Sequence, residues 1–193
     1  CTPEFAEQRP LQPSAKKLTT HWNTERHTPM ATSSNPSGID PRGPRFGAGI
    51  TAVLLLVVIG VGLTNPQPAD ALADRLTEPA FVLLVALSAL FAWGAFAGVK
   101  RHPYGKLFAA VVRPRLSPPA FTEPPEPPTF AQLVGFLVTA TGVLLHLIGV
   151  PYGLVAAAAA AFIAAFLNSV FGLCLGCELY ALLVRAKVLR AKA

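Results

Sequence analysis

Between Thr129 and Cys177 the chain carries no Asp, Glu, Lys or Arg. A water-soluble fold cannot cover itself with such material, whereas a bilayer accepts it, provided the backbone satisfies its own hydrogen bonds as helix. The rest of the sequence is compatible with that constraint. Charged residues make up 13% of the 193 residues, against about 25% in ordinary soluble domains. The expected fold class is therefore all-α: an integral membrane bundle of four transmembrane helices.

Taken in order, the apolar runs predict spans at about 46–63, 80–99, 130–150 and 153–184. Asp40-Pro41-Arg42-Gly43-Pro44-Arg45-Phe46 leads into the first, with two prolines expected to delay the helix and two arginines at headgroup level. The connection 64–79 holds Asp70, Asp74 and Glu78 against Arg75. Trp93 lies near the far end of the second span, and Gly94 with Gly98 forms a small-xxx-small pair suited to close helix contact. The longest interior connection, 100–128, is basic and ends in a Pro-rich tract, 118–128, expected to be an extended, semi-rigid spacer. Pro151-Tyr152-Gly153 reads as a tight turn. The final run of 32 residues would extend ~48 Å as helix, against a hydrocarbon core of about 30 Å. Either it continues into the headgroups or it breaks near Gly172 and Gly176.

The distribution of basic residues sets the orientation. Arg42, Arg45, the connection 100–128 and the tail, with Arg185, Lys187, Arg190 and Lys192, oppose Arg75 alone on the other two loops. Positive-inside bias then places both termini in the cytoplasm, N-in and C-in. The net charge of +6 could point to nucleic acid, but the basic residues cluster beside apolar runs with no interleaved aromatics. Anionic lipid headgroups are the simpler partner. Residues 1–38 are rich in Pro, Ser and Thr without hydrophobic period and read as a disordered N-terminal segment. Met30 is the only Met and the expected start, with residues 1–29, Cys1 included, upstream of it.

Cys174 and Cys177 form the one motif with chemical content. Three apart, they share a helix face and lie within disulfide reach. A Cys-x-x-Cys pair also lowers a thiol pKa when placed at a helix N-terminus. At the cytoplasmic end thiols are kept reduced, so reversible oxidation or persulfide transfer fits better than a structural disulfide. Packing of two small apolar residues is the bland alternative. No metal site is expected, because a structural zinc needs four ligands and one pair supplies two; no cofactor is expected either. Glu178, four residues after Cys174, is a candidate base or an interfacial ion-pair partner. Arg42, Arg45, Arg113 and Arg115 share the cytoplasmic side and could form an anion site, or serve as headgroup contacts. Gly172 and Gly176 suit close backbone approach. Asn168 is expected to hydrogen-bond between helices, His146 to sit in the outer leaflet far from the cysteines, and His102 to anchor the interface within reach of them.

The combination of Asp40-Pro41-Arg42-x-x-Arg45-Phe46, Arg113-Pro114-Arg115-Leu116, Phe130-Ala131-Gln132 and Phe171-Gly172-x-Cys174-x-Gly176-Cys177-Glu178-x-Tyr180 resembles the bacterial membrane family named domain of unknown function 4395. The likeness covers about Asp40 to Val184. It implies a small four-span protein of the bacterial inner membrane whose genes lie near those of thiosulfate sulfurtransferases and thioredoxin-like proteins. The leading expectation is a thiol- or sulfur-handling redox protein with a thioredoxin-like or sulfurtransferase partner. The alternatives are a subunit of a transporter for a small sulfur-containing anion, which with four spans would need a homo-oligomer, and a structural membrane subunit without chemistry.

Overall fold

The computed structural model describes residues 38–65 and 68–188. The expected disordered segment, except Gly38, lies outside these residues, as do Met30, Arg190 and Lys192. Seven α-helices run through the described chain: α1 (Arg42–Thr64), α2 (Leu72–Arg75), α3 (Pro79–Ala97), α4 (Pro103–Leu107), α5 (Glu126–Leu147), α6 (Gly153–Phe171) and α7 (Leu175–Arg185). Helices α1, α3, α5 and α6 are each long and apolar enough to cross a membrane. No strand occurs among the described residues; Ile39 and Glu123 form an isolated antiparallel bridge.

The prolines start helices where the sequence suggested delay. The Asp40 carboxylate accepts the Arg42 N–H at 3.0 Å, so α1 begins at Arg42, four residues ahead of expectation. Pro44 then falls in the first turn, where an N–H has no intrahelical partner to lose. Pro127 and Pro128 likewise lie in the first turn of α5, and Pro79 opens α3. Of the tract 118–128 expected as an extended spacer, the residues from Glu126 on belong to α5. The connection before it begins with short helical turns through Arg115, including α4, and the tract folds back on the segment before α1 through paired Ile39–Glu123 backbone bonds of 2.8 and 2.9 Å.

The four spans form a ring in which α1 packs on α3, α3 on α5, α5 on α6, and α6 closes on α1. Leu55 and Val58 of α1, Phe81, Leu84 and Leu87 of α3, and Leu154, Ala158 and Ala161 of α6 make the core. Outward positions stay apolar: Phe96 is 75% exposed, and Val53, Leu56 and Ile163 also point away from the bundle. Such residues on every helix face lipid, which is the reverse of a soluble surface. Buried Thr139 donates its hydroxyl to the Gly135 carbonyl one turn back at 2.9 Å, so its polar atom carries no unpaired cost. This is a multi-pass membrane protein.

One end of the bundle is tied by Arg75, which donates to the carbonyls of Ala69 and Leu147. There His146, buried, stacks on Phe81 at 5.1 Å and places Nε2 3.4 Å from a Glu78 carboxylate oxygen. Every other described Lys and Arg belongs to the opposite end, which also carries α7.

Candidate functional site

The apolar run 153–184 is not a single span. Helix α6 stops at Phe171 because Gly172 adopts a left-handed conformation, φ 69°, which L side chains reach only at a cost. The Arg45 guanidinium sits directly on this glycine; a Cβ there would stand 2.5 Å from Nη2. Three residues later the chain turns back into α7, with Cys174 as its N-cap. The Cys174 sulfur accepts the backbone N–H of Cys177 at 3.3 Å, taking the place of the usual capping oxygen. The two sulfurs are joined as a disulfide, with Cα atoms 5.2 Å apart. The closed pair is one of the two states expected of cysteines that cycle between dithiol and disulfide.

Helix α7 lies against the start of α5. Gly176 allows this, since a Cβ there would meet the Ala131 Cα at 2.5 Å, and Phe130 and Tyr180 pack with ring centroids 5.7 Å apart. The two glycines thus have separate tasks: Gly172 turns the chain and Gly176 admits a neighbour. The pair expected at Gly94 and Gly98 divides similarly. Gly94 is covered by the Gln132 side chain, whereas Gly98, φ 82°, ends α3, and a Cβ there would meet open space.

Beside Cys174 the bundle opens. A cavity of about 630 Å³ lies between α1, α5 and α6 and is bordered by α4, α7 and the connection 99–122. Its walls explain its presence. Helix α6 offers Ala160, Ala161, Ala164 and Ala165, and α1 offers Gly43, Gly47 and Ala48. Small side chains on inward faces leave volume that larger ones would fill. The wall residues of α5, Pro128 to Val138, span ~15 Å of helix, so the cavity reaches well into the bilayer half that α7 caps. Phe91 and Phe108 add aromatic surface.

Polar groups are few and placed at distinct levels. Asp40, Lys100, Arg113 and Thr122 border the cavity from the connecting segments, while Gln132 and Asn168 line it from within the spans. Neither carboxamide side chain has a hydrogen-bond partner among the described residues. Asp40 holds Arg42 through two side-chain bonds of 3.0 and 2.9 Å. Burial alone would push its carboxyl up, but hydrogen bonds from Arg42, with the charges of Arg42 and Arg113, hold it below the usual carboxylate range. His102 has both ring nitrogens engaged: Nε2 pairs with the Leu90 carbonyl at 3.1 Å and Nδ1 accepts the Tyr104 N–H at 3.3 Å. This fixes a neutral tautomer that donates through Nε2. Burial pushes the ring's pKa down despite the Leu90 bond. These contacts hold the buried ring within the protein rather than at a lipid interface, and His102 lines the same cavity as Cys174.

Of the residues singled out in the sequence, Cys174, Gly176, Arg113, His102 and Asn168 line the cavity. Cys177 does not line it. Glu178 is exposed in the first turn of α7, where a negative charge suits the helix N-terminus; its backbone N–H, not its carboxylate, meets Cys174, at the carbonyl, 3.0 Å away. The four arginines are not gathered at one site. Arg42 is committed to Asp40 and to the Ser117 carbonyl, Arg45 covers Gly172, and Arg115 donates to the Val111 carbonyl. Gln132 and Lys100 were passed over as site residues. Gln132 could have been found as a rare amide inside an apolar span, the signal that picked out Asn168. Among the described residues no group of three or more His, Cys, Asp or Glu side chains is placed to hold a metal.

No curated protein and no solved structure matches the chain. The family described as Domain of unknown function (DUF4395) matches residues 39–185. That stretch contains all four spans, the disulfide and every residue on the cavity wall except Gly38, and the chain belongs to this family.

Proposed function

We propose that this protein is a thiol–disulfide redox protein of the bacterial inner membrane, with Cys174 and Cys177 cycling between dithiol and disulfide at the cytoplasmic face. One observation carries the reading: Cys174 is the N-cap of a helix set off from the last span, and it is among the residues that line a membrane cavity. When the pair is reduced, the Cys177 N–H and the N-terminal end of α7 favour a thiolate at Cys174, the arrangement that makes a thiol nucleophilic. The bias of basic residues towards this end supports a cytoplasmic location. A disulfide there is exposed to cellular reductants, which argues for a pair that cycles over one that is structural.

The exchange with a thioredoxin-like partner runs as follows. The partner thiolate attacks the Cys174 sulfur, the Cys174–Cys177 bond breaks, and Cys177 leaves as a thiolate that takes up a proton. The second thiol of the partner, as thiolate, then attacks the mixed disulfide. The partner ends oxidised and the membrane pair ends as a dithiol.

A transport subunit for a small sulfur anion draws support from Arg113 and Lys100 at the cavity. It is weakened by size. An anion of about five heavy atoms takes the room of a few waters, roughly 100 Å³, in a cavity of about 630 Å³. The remaining arginines are also engaged elsewhere.

The test is redox titration of the purified protein in lipid nanodiscs against dithiol buffers, with free thiols read by a mass-tagging maleimide. A single two-electron transition involving both cysteines, at a potential within the cytoplasmic range, supports the reading. A pair that stays oxidised under all buffers short of denaturation makes it a structural disulfide.

A further inference from the structure

We infer that the cavity beside Cys174 is the site of a lipid-soluble quinone, which takes the two electrons of the cysteine pair; this rests on the redox reading above. Gln132 and Asn168 both lie inside membrane spans and border the cavity, the Gln132 side chain also covering Gly94, and neither carboxamide has a hydrogen-bond partner among the described residues. Polar side chains within a span face a partner or a filled cavity, because leaving them unpaired in an apolar medium is costly. Each amide N–H₂ is a donor suited to a carbonyl oxygen.

The other walls limit what such a ligand can be. Ala164 and the neighbouring alanines of α6, with Phe91 and Phe108, offer apolar and aromatic surface and no charge at that depth. A volume of about 630 Å³ falls in the ~300–1,000 Å³ range of sites that enclose ligands of drug size. A flat ring with two carbonyl oxygens and a short isoprenoid chain meets all of these conditions. A phospholipid would fill the alanine-lined wall and could offer ester carbonyls to the carboxamides, but it has no group that can take two electrons from the cysteine pair. Cys174 borders the same cavity.

The electron step balances. The Cys174 thiolate adds to the quinone ring, and the Cys177 thiolate attacks the Cys174 sulfur, forming the S–S bond and releasing the ring. Two electrons pass to the quinone, which takes up two protons, one for each oxygen, and leaves as the quinol. The thioredoxin-like partner supplies the two electrons for the next round.

The experiment uses the full chain in nanodiscs, reduced with a dithiol, desalted without oxygen, and mixed with a short-chain naphthoquinone. Quinone loss is followed by ultraviolet absorbance and disulfide formation by maleimide tagging. One quinol per disulfide, with saturation in quinone, is the expected result. Gln132→Leu and Asn168→Leu should each raise the half-saturating quinone concentration by about tenfold, the loss of one buried hydrogen bond. Ala164→Phe, which fills the cavity, should abolish saturation. Should either leucine variant fail to fold, photo-crosslinking of an azido-quinone to the unmodified protein gives the second measurement, with labels expected on α5 and α6. A pair that exchanges with small dithiols while quinone is neither reduced nor cross-linked overturns the quinone site and leaves the redox reading standing. A pair inert to dithiols overturns both. Quinone reduction unchanged in all three variants places the reaction outside this cavity and overturns the inference.

Discussion

Gly176 and Ala131 meet so closely that a Cβ on the glycine would stand 2.5 Å from the alanine Cα. This contact seats α7 on α5 and so holds Cys174 at the cavity wall. Gly176→Val should force the helices apart, at a cost of about 1–3 kcal/mol for an overpacked contact. In the reduced protein, alkylation of Cys174 should become several-fold faster. An unaltered rate would mean that α7 does not depend on this contact.

Gly172→Ala should lower stability by about 1–2 kcal/mol, from the left-handed backbone alone, and by more because the new methyl meets Arg45. Adding Arg45→Ala removes the steric part and leaves the backbone part. Thermal unfolding in detergent should therefore show partial recovery in the double variant. Full recovery would assign the whole effect to Arg45, and none would assign it to the backbone.

His102 gives a pH dependence with a defined sign. Its folded pKa lies below the ordinary 6.5, so the unfolded chain binds the proton more readily. Stability should be flat above about pH 6.5 and fall as the pH drops from there towards the folded pKa. His102→Ala, which removes both hydrogen bonds, should cost about 1–3 kcal/mol and flatten that dependence. Melting curves of the two proteins between pH 5 and 8 decide it; parallel curves would show that the imidazole is not held neutral by the fold.

For Asp40 the sign is that of a depressed carboxylate. Its ion pair with Arg42 contributes stability above the unfolded value of about 3.8 and loses it as the pH falls through the lower folded value. Asp40→Asn should cost about 1 kcal/mol at neutral pH, given that Arg42 is partly exposed. It should also loosen the start of α1 and the Pro-rich segment bridged to Ile39. Limited proteolysis within residues 116–125 should be several-fold faster. An unchanged cleavage rate would show the bridge to be independent of the ion pair.

The two thiols should differ in acidity. With Cys177→Ser, the alkylation of Cys174 should show a midpoint below the ordinary thiol value of about 8.5. With Cys174→Ser, the midpoint of Cys177 should be no lower than that value. Equal midpoints would remove the helix-capping argument for Cys174 as the attacking sulfur.

The four spans, the all-helical class and the asymmetric placement of basic residues were legible along the chain. Hydropathy is a local sum over consecutive residues, and a helix in lipid needs no distant partner to satisfy its backbone. Excess length flagged the break after α6, and Gly172 was one of two glycines named for it. Proline was misjudged at α1 and α5, because its effect depends on which turn of the helix it occupies. The four arginines looked like one site because they share an end of the bundle, yet only Arg113 reaches the cavity. Sharing an end is a coarse coordinate, and the direction of each side chain is settled by its own nearest acceptor or contact: Asp40 and Ser117 for Arg42, Gly172 for Arg45, Val111 for Arg115.

What the sequence by itself determined is therefore where the membrane lies, how often it is crossed, and that two cysteines close the last apolar run. Only the tertiary structure decided that Cys174 caps a separate helix and faces a cavity with Gln132 and Asn168. That cavity is the space left where small residues of α1 and α6 face α5. Its existence depends on which faces meet across the bundle, a relation between residues far apart in the chain that no local periodicity records.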